Sequence, residues 1–186
     1  MMLAVGVGWS AGEYAHLNAS FQNRGKRMDE AVQVLRTLWR GGKIISYHGQ
    51  YYNFERLVFS PPPLQPGGPP LWVAGDSPRA LQRAVRLADG WHPNAMPPET
   101  LNERLTAVRP LLMRRPFTVA MRIRLAADAA PSAETLSGSP EQIIARLLAY
   151  QAAGLNYAVI QFQAASQPER ERAMQTFARQ VLPVFR

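Results

Sequence analysis

The spacing of apolar residues changes period several times along the chain, and each change marks an element. Short apolar runs stand at Leu3–Gly8 (LAVGVG), Leu71–Ala74 (LWVA) and Tyr157–Phe162 (YAVIQF). Such runs, bounded by glycine or polar residues, predict buried strands. Phe117–Leu125 (FTVAMRIRL) alternates apolar and polar positions and predicts a further strand. Lys26–Arg40 instead follows the helical rule, with Met28, Ala31, Val32, Leu35, Leu38 and Trp39 on one face and Gly41-Gly42 as the stop. A helix start is predicted at Ala11–Asn18. Two β-prone runs within Lys43–Glu55 flank His48-Gly49-Gln50 and predict a β-hairpin. A proline-rich loop from Ser60 to Pro69 is too poor in N–H donors to join a ladder.

The second half repeats one theme. Ser77 caps a helix that has Pro78 at its first position and a stripe of Leu81, Ala84, Val85 and Ala88. Asp89-Gly90 ends it, and Trp91-His92 reads as a very short strand. Pro98 opens another helix with Leu101, Leu105 and Val108 on one face, limited by Pro110. Ser139 and Gln142 form a capping box ahead of Ile143, Ile144, Leu147, Leu148 and Tyr150, and Gly154 closes that helix. Ser166 and Glu169 form a second box before a last helix that buries Met174, Phe177 and Val181. Strand-helix alternation of this kind implies a parallel sheet with helices outside it, here with about five strands. No internal linker is visible, so residues 1–186 read as one domain.

Composition narrows the function classes. The chain has 186 residues, no cysteine and three scattered histidines, which excludes disulfides and gives no zinc-like spacing. No metal site is expected. The N-terminal stretch has no basic leader, and no apolar run reaches the roughly 18 residues of a membrane span, so a cytoplasmic protein is expected. Lys and Arg number 21 against 13 Asp and Glu, a net charge of +8. The arginines are spread along helices rather than clustered, which argues against a nucleic-acid partner and for a basic surface.

Parallel α/β structures bind ligands beyond the C-terminal ends of their strands. Ala74-Gly75-Asp76-Ser77 lies at such an end. Gly75 admits a close backbone approach, and N–H groups at a helix start favour an anion such as phosphate.

Taken in order, a longer series of motifs is more specific. Gly6-Val7-Gly8-Trp9 is followed by Glu13-Tyr14, Phe21 and Arg24-Gly25-Lys26-Arg27, then by Asp29-Glu30 and Val34-Leu35-Arg36-Thr37-Leu38-Trp39. His48-Gly49 with Tyr51-Tyr52, Pro63-Leu64-Gln65-Pro66, Leu71-Trp72-Val73-Ala74-Gly75 with Ser77-Pro78, Asp89-Gly90-Trp91, Gly138-Ser139-Pro140-Glu141-Gln142 and Ala153-Gly154 complete it. This order resembles the bacterial luciferase-like monooxygenase family, within it the flavin- or coenzyme F420-dependent oxidoreductases, from Leu3 to about Pro183.

The resemblance implies a (β/α)₈ TIM-type barrel, which typically needs about 250 residues. Leu3–Gly8 resembles the family's fourth strand. The expectation is therefore a partial barrel, N-terminally truncated relative to the family, with the first three βα units missing and a β-hairpin inserted. It further implies reduced FMN or coenzyme F420 as cofactor and hydride transfer or monooxygenation on a small organic substrate. Gly8, Trp9, Ala74, Gly75, Asp76 and Ser77 are the expected cofactor-binding residues: Trp9 as a pocket wall, Gly75, Asp76 and Ser77 as amide donors to the cofactor phosphate. Trp9 stands where some deazaflavin-dependent members carry a carboxylate, and no catalytic residue is assigned. The alternative expectation is a non-catalytic or split half-barrel, with a homo-oligomer or a complementing N-terminal half as partner.

Other residues have simpler readings. Glu13 suits a helix start. His92 lies at a strand end as polar lining, and His16 and His48 are expected to be exposed. Arg122 and Arg124 alternate with apolar residues and face a polar barrel interior or solvent. Arg24 is expected to pair with Asp29 or Glu30, Tyr51 and Tyr52 to pack the hairpin, and Trp39 to lie in the core.

Overall fold

The apolar run at Leu3 forms strand β1 over Leu3–Val5, and the run at Leu71 forms β4 over Leu71–Ala74. They pair in parallel with Leu3 opposite Leu71 and Val5 opposite Val73. The computed structural model describes residues 1–42, 44–112, 115–126, 132 and 135–185, which fall into two compact units, Met1–Trp91 and His92–Arg186.

In the first unit, α1 (Ala11–His16) and α2 (Arg24–Arg40) follow β1. The hairpin is β2 (Ile45–His48) with β3 (Asn53–Leu57), antiparallel. His48 belongs to β2, so the hairpin tip begins at Gly49, one residue later than the sequence suggests; Lys43 lies outside the described residues. After the proline-rich loop come β4, α3 (Pro78–Leu87) and β5 (Gly90–His92), with β4 between β1 and β5. Leu71 and Val73 are fully buried, each worth about 1.5–3 kcal/mol over exposure.

Helix α2 departs from its predicted face. Met28, Val32 and Val34 are buried, while Leu35, Leu38 and Trp39 are half-buried. The helix is contacted by α3 and by β2. Apolar positions therefore serve two flanks instead of one stripe. Trp39 lies over Gly68, where a Cβ would meet its Cε3 at 2.3 Å and where φ is +93°. Only glycine fits there.

In the second unit, α4 (Pro98–Thr106) and α5 (Arg109–Leu112) are separated just before Pro110, as predicted. Strand β6 (Thr118–Leu125) then runs parallel to both β7 (Thr135–Leu136) and β8 (Tyr157–Phe162). The short β7 adds a strand that the sequence pattern did not mark. Between β7 and β8 lies α6 (Pro140–Ala153), whose Ser139–Gln142 capping box forms and whose C-cap Gly154 is left-handed. The Ser166–Glu169 box likewise starts α7 (Gln167–Thr176), which continues as a π turn over Phe177–Val181 and a 3₁₀ turn over Leu182–Phe185.

Two burial expectations fail in this unit. Leu148 is 43% exposed and Met174 48% exposed, while Ile143, Leu147, Tyr150 and Val181 are buried. A short helix laid on a strand covers one narrow stripe, and residues one step off that stripe stay in solvent.

Candidate functional site

The β1–β4 register decides where the predicted cofactor residues lie. Because Val5 sits opposite Val73 in a parallel pair, the chain leaves both strands at the same end. Gly6 follows there, and a Cβ on it would lie 3.6 Å from the Cβ of Ala74. The Gly8-Trp9 turn and the Gly75-Asp76-Ser77 turn thus share one rim, the C-terminal end of the strands.

Each turn is fixed by a side chain. At the first, Gly8 has φ +73° and a Cβ there would stand 3.3 Å from the Tyr14 ring. The Tyr14 hydroxyl donates to the Val7 carbonyl. Tyr14 meets Phe21 edge-on at 5.4 Å, and Arg24 stacks on Phe21 at 3.6 Å. Trp9, which follows Gly8, is 87% exposed. Ser10 caps α1 by accepting from the Glu13 N–H at 3.2 Å.

At the second turn, Gly75 has φ +127°, a conformation that strains any side chain, and an added Cβ would lie 3.2 Å from the Ala80 Cβ. The Trp91 indole N–H donates to the Gly75 carbonyl at 2.8 Å. The Trp91 ring is fully buried, so that bond is shielded from water. Gly75 is half-buried, and Asp76 and Ser77 are exposed.

The donors at α3 differ from expectation in one respect. Pro78 has no N–H, and the Ala80 N–H is taken by the Ser77 hydroxyl at 3.2 Å and the Ser77 carbonyl at 2.9 Å. Arg79 supplies the first-turn helix amide that remains, a donor the sequence reading did not single out. Pro78 was visible as the signal for it: proline at the first position removes one donor and moves the next into line.

The Asp-Gly-Trp motif proves to be a clamp on β4. The Asp89 carboxylate accepts from the Leu71 N–H at 2.8 Å and from Arg36 at 2.5 Å, and the Asp89 N–H donates to the Leu71 carbonyl at 2.7 Å. Asp89 fixes the start of the strand and Trp91 its end. Neighbouring carboxylates also have structural partners. Asp29 pairs with Arg83 and, at 2.8 Å, with Arg86. Glu30 accepts from the N–H groups of Gln50, Tyr51 and Tyr52 at 3.0, 2.9 and 2.8 Å, which ties the hairpin tip to α2. The expected Arg24 pairing with Asp29 or Glu30 is replaced by a bond from Arg24 to the Phe21 carbonyl at 2.9 Å.

The histidines do not gather. His16 and His48 are exposed, the latter 3.0 Å from Glu55, and His92 is half-buried at the end of β5. Burial and the nearby Glu30 raise the Tyr47 hydroxyl above its ordinary value, and the Ser139 hydroxyl bond lowers that of Glu141. Tyr47 belongs to the hairpin and Glu141 to the first turn of α6 in the second unit. A cavity of about 230 Å³ in the second unit is lined mostly by apolar side chains such as Leu147, Leu155, Ile160, Phe177 and Leu182, with Gln151, Asn156 and Tyr157 as its polar members. Among the described residues no group of His, Asp and Glu is placed to hold a metal, and no helix is long and apolar enough to cross a membrane.

Parallel strands alternating with helices, with an antiparallel hairpin, define an α/β fold. Residues 1–114 match the family described as luciferase-like monooxygenase, and the chain belongs to that family. The F420-dependent hydroxymycolic acid dehydrogenase of Mycobacterium tuberculosis is 32% identical over 93 residues, 49% of this chain and 25% of that protein. The FMNH(2)-dependent dimethylsulfone monooxygenase of Pseudomonas putida is 28% identical over 112 residues, 58% of this chain and 31% of that protein. The crystal structure of the monooxygenase RslO1 from Streptomyces bottropensis superposes with a TM-score of 0.81 at 20% identity, over all of this chain and 69% of that one. The fold therefore resembles part of a larger barrel-type structure, with the antiparallel hairpin as an addition. The first curated relatives align over 37% of their own length.

Proposed function

We propose that the protein acts as an oxidoreductase of luciferase-like type, using reduced FMN or coenzyme F420 on a small organic substrate. The observation that carries this reading is the shared rim of the Gly8-Trp9 and Gly75-Asp76-Ser77 turns, set by the β1–β4 register. Family membership and relatives named for both cofactors support it.

The residues at the rim fit a phosphate-bearing flavin or deazaflavin. Gly75 leaves room for close approach, since a side chain there would press on Ala80. The amides of Gly75, Asp76, Ser77 and Arg79 would hold the phosphate. The Ser77 hydroxyl accepts from Ala80 and keeps its proton to donate outward. Ala74 lines the approach, and the exposed Trp9 indole offers a flat wall for the ring system. When bound, the reduced cofactor supplies the hydride, or the electrons that activate oxygen. The protein's part is to orient the two reactants and keep the phosphate end fixed.

The test is titration with FMN and with F420, followed by fluorescence. Saturable binding of one of them is expected at about tens of micromolar, the middle of the common Michaelis range. Trp91→Phe removes the bond that fixes the Gly75 carbonyl and should weaken that binding about two- to tenfold, the worth of one hydrogen bond. Absence of saturable binding for both cofactors overturns the proposal.

A further inference from the structure

The two glycine turns of the first unit are built on one device. At each, an aromatic side chain donates to a main-chain carbonyl and so fixes one peptide plane. The Tyr14 hydroxyl donates to the Val7 carbonyl, whose peptide unit carries the Gly8 N–H. The Trp91 indole N–H donates to the Gly75 carbonyl at 2.8 Å, and that peptide unit carries the Asp76 N–H. Both peptides are trans, so C=O and N–H point in opposite directions within each plane. Holding the carbonyl therefore aims the amide. The Gly8 N–H is turned away from Tyr14. The Asp76 N–H is turned away from a fully buried indole, and hence away from the core.

Glycine makes such an anchor necessary. Gly8 at φ +73° and Gly75 at φ +127° take conformations open to glycine, but glycine also has the widest choice of others. A turn built on it keeps one orientation only if a neighbour holds it. The two anchors are themselves held. Burial of Trp91 shields its bond from competing water. Half-buried Tyr14 is braced by the Phe21 ring on its edge and by the Arg27 guanidinium, 5.4 Å over its face.

We propose that Trp91 and Tyr14 are positioning residues that divide the cofactor between them. Trp91 sets the Gly75-Asp76 peptide for the phosphate end, and Tyr14 sets the Val7-Gly8 peptide, next to Trp9, for the ring end. This rests on the cofactor reading above and deepens it. Neither side chain touches the ligand; each acts through a main-chain unit. The affinity that the phosphate contributes is governed by Trp91, and the affinity that the ring contributes by Tyr14.

Titration of the whole chain with two pairs of ligands, followed by ligand fluorescence, tests it: FMN with riboflavin, and F420 with its riboside lacking the phosphate. The ratio of affinities within a pair measures what the phosphate contributes. Wild type should bind the phosphorylated member of one pair about tenfold or more tighter, as hydrogen bonds to a charged group imply. Trp91→Phe should lower that ratio about two- to tenfold by weakening the phosphorylated member alone. Trp91→3-benzothienylalanine keeps the indole's shape without its N–H and should do the same; it guards against a Phe variant that fails to fold. Tyr14→Phe should weaken both members alike, about two- to tenfold, and leave the ratio unchanged. A merely structural role for Trp91 would weaken both members equally, and that result overturns the proposal. So does a wild-type ratio near one, a ratio unaffected by loss of the indole N–H, or a Tyr14→Phe variant that shifts the ratio or leaves both affinities intact. In each of those cases binding itself survives and the cofactor reading stands. Failure of wild type to bind all four ligands sinks the cofactor reading and this inference with it.

Discussion

Asp89 and Asn156 have the same place in their respective units and reach the same end by different chemistry. Each directly precedes a strand, β5 or β8, and each grips the start of another strand, β4 or β6. Asp89 accepts from the Leu71 N–H and exchanges a main-chain bond with the Leu71 carbonyl. Asn156 accepts from the Val119 N–H at 2.8 Å, donates its amide to the Phe117 carbonyl at 3.0 Å, and its own N–H bonds to the Val119 carbonyl at 3.1 Å. The aspartate can only accept, so it needs a cation and has Arg36. The asparagine carries donor and acceptor and is satisfied by the backbone alone. Charge is thus used where a helix, α2, has to be tied to the strand; a neutral amide suffices where strand meets strand.

Three substitutions probe that contrast. Asp89→Ala should be the most damaging, at about 2–3 kcal/mol, because it strands a part-buried N–H and the Arg36 charge together. The urea midpoint should fall, and hydrogen exchange of the Leu71 amide should speed up more than that of Val119. Asn156→Asp should cost about 1–2 kcal/mol, since it removes the donor to Phe117 and sets a carboxylate against that carbonyl. Here the Val119 amide should respond first; equal stability of the aspartate variant would show that the charge difference is incidental. Arg36→Gln should cost least, about 0.5–1 kcal/mol, as expected of a pair that solvent partly screens. A loss as large as that of Asp89→Ala would mean the ion pair, not the bond to Leu71, holds β4.

At the Gly75 turn two polar groups are committed to structure: the Ser77 hydroxyl to the Ala80 N–H and the Gly75 carbonyl to the Trp91 indole.

Much of this was legible along the chain. Both capping boxes, the Pro78 start of α3, the stop at Gly154, the alternation of β6 and the glycine turn after β4 are local features, set by interactions within about four residues. The sequence order of these motifs also pointed to the family. The partners of Asp29, Glu30 and Asp89 were not legible, because Arg83, Gln50 and Arg36 lie between 20 and 54 residues away from them. Nor was β7, whose two residues are too few to show a period.

The chain's own pattern thus determined which residues form strands and helices, where they stop, and which turn carries a glycine, since those depend on neighbours in sequence. Tertiary structure alone decided that the Gly8 and Gly75 turns leave the sheet at one end and that Asp-Gly-Trp clamps β4. Each of these depends on strand register and on contacts between distant segments, and a one-residue change of register would turn every such side chain to the other face.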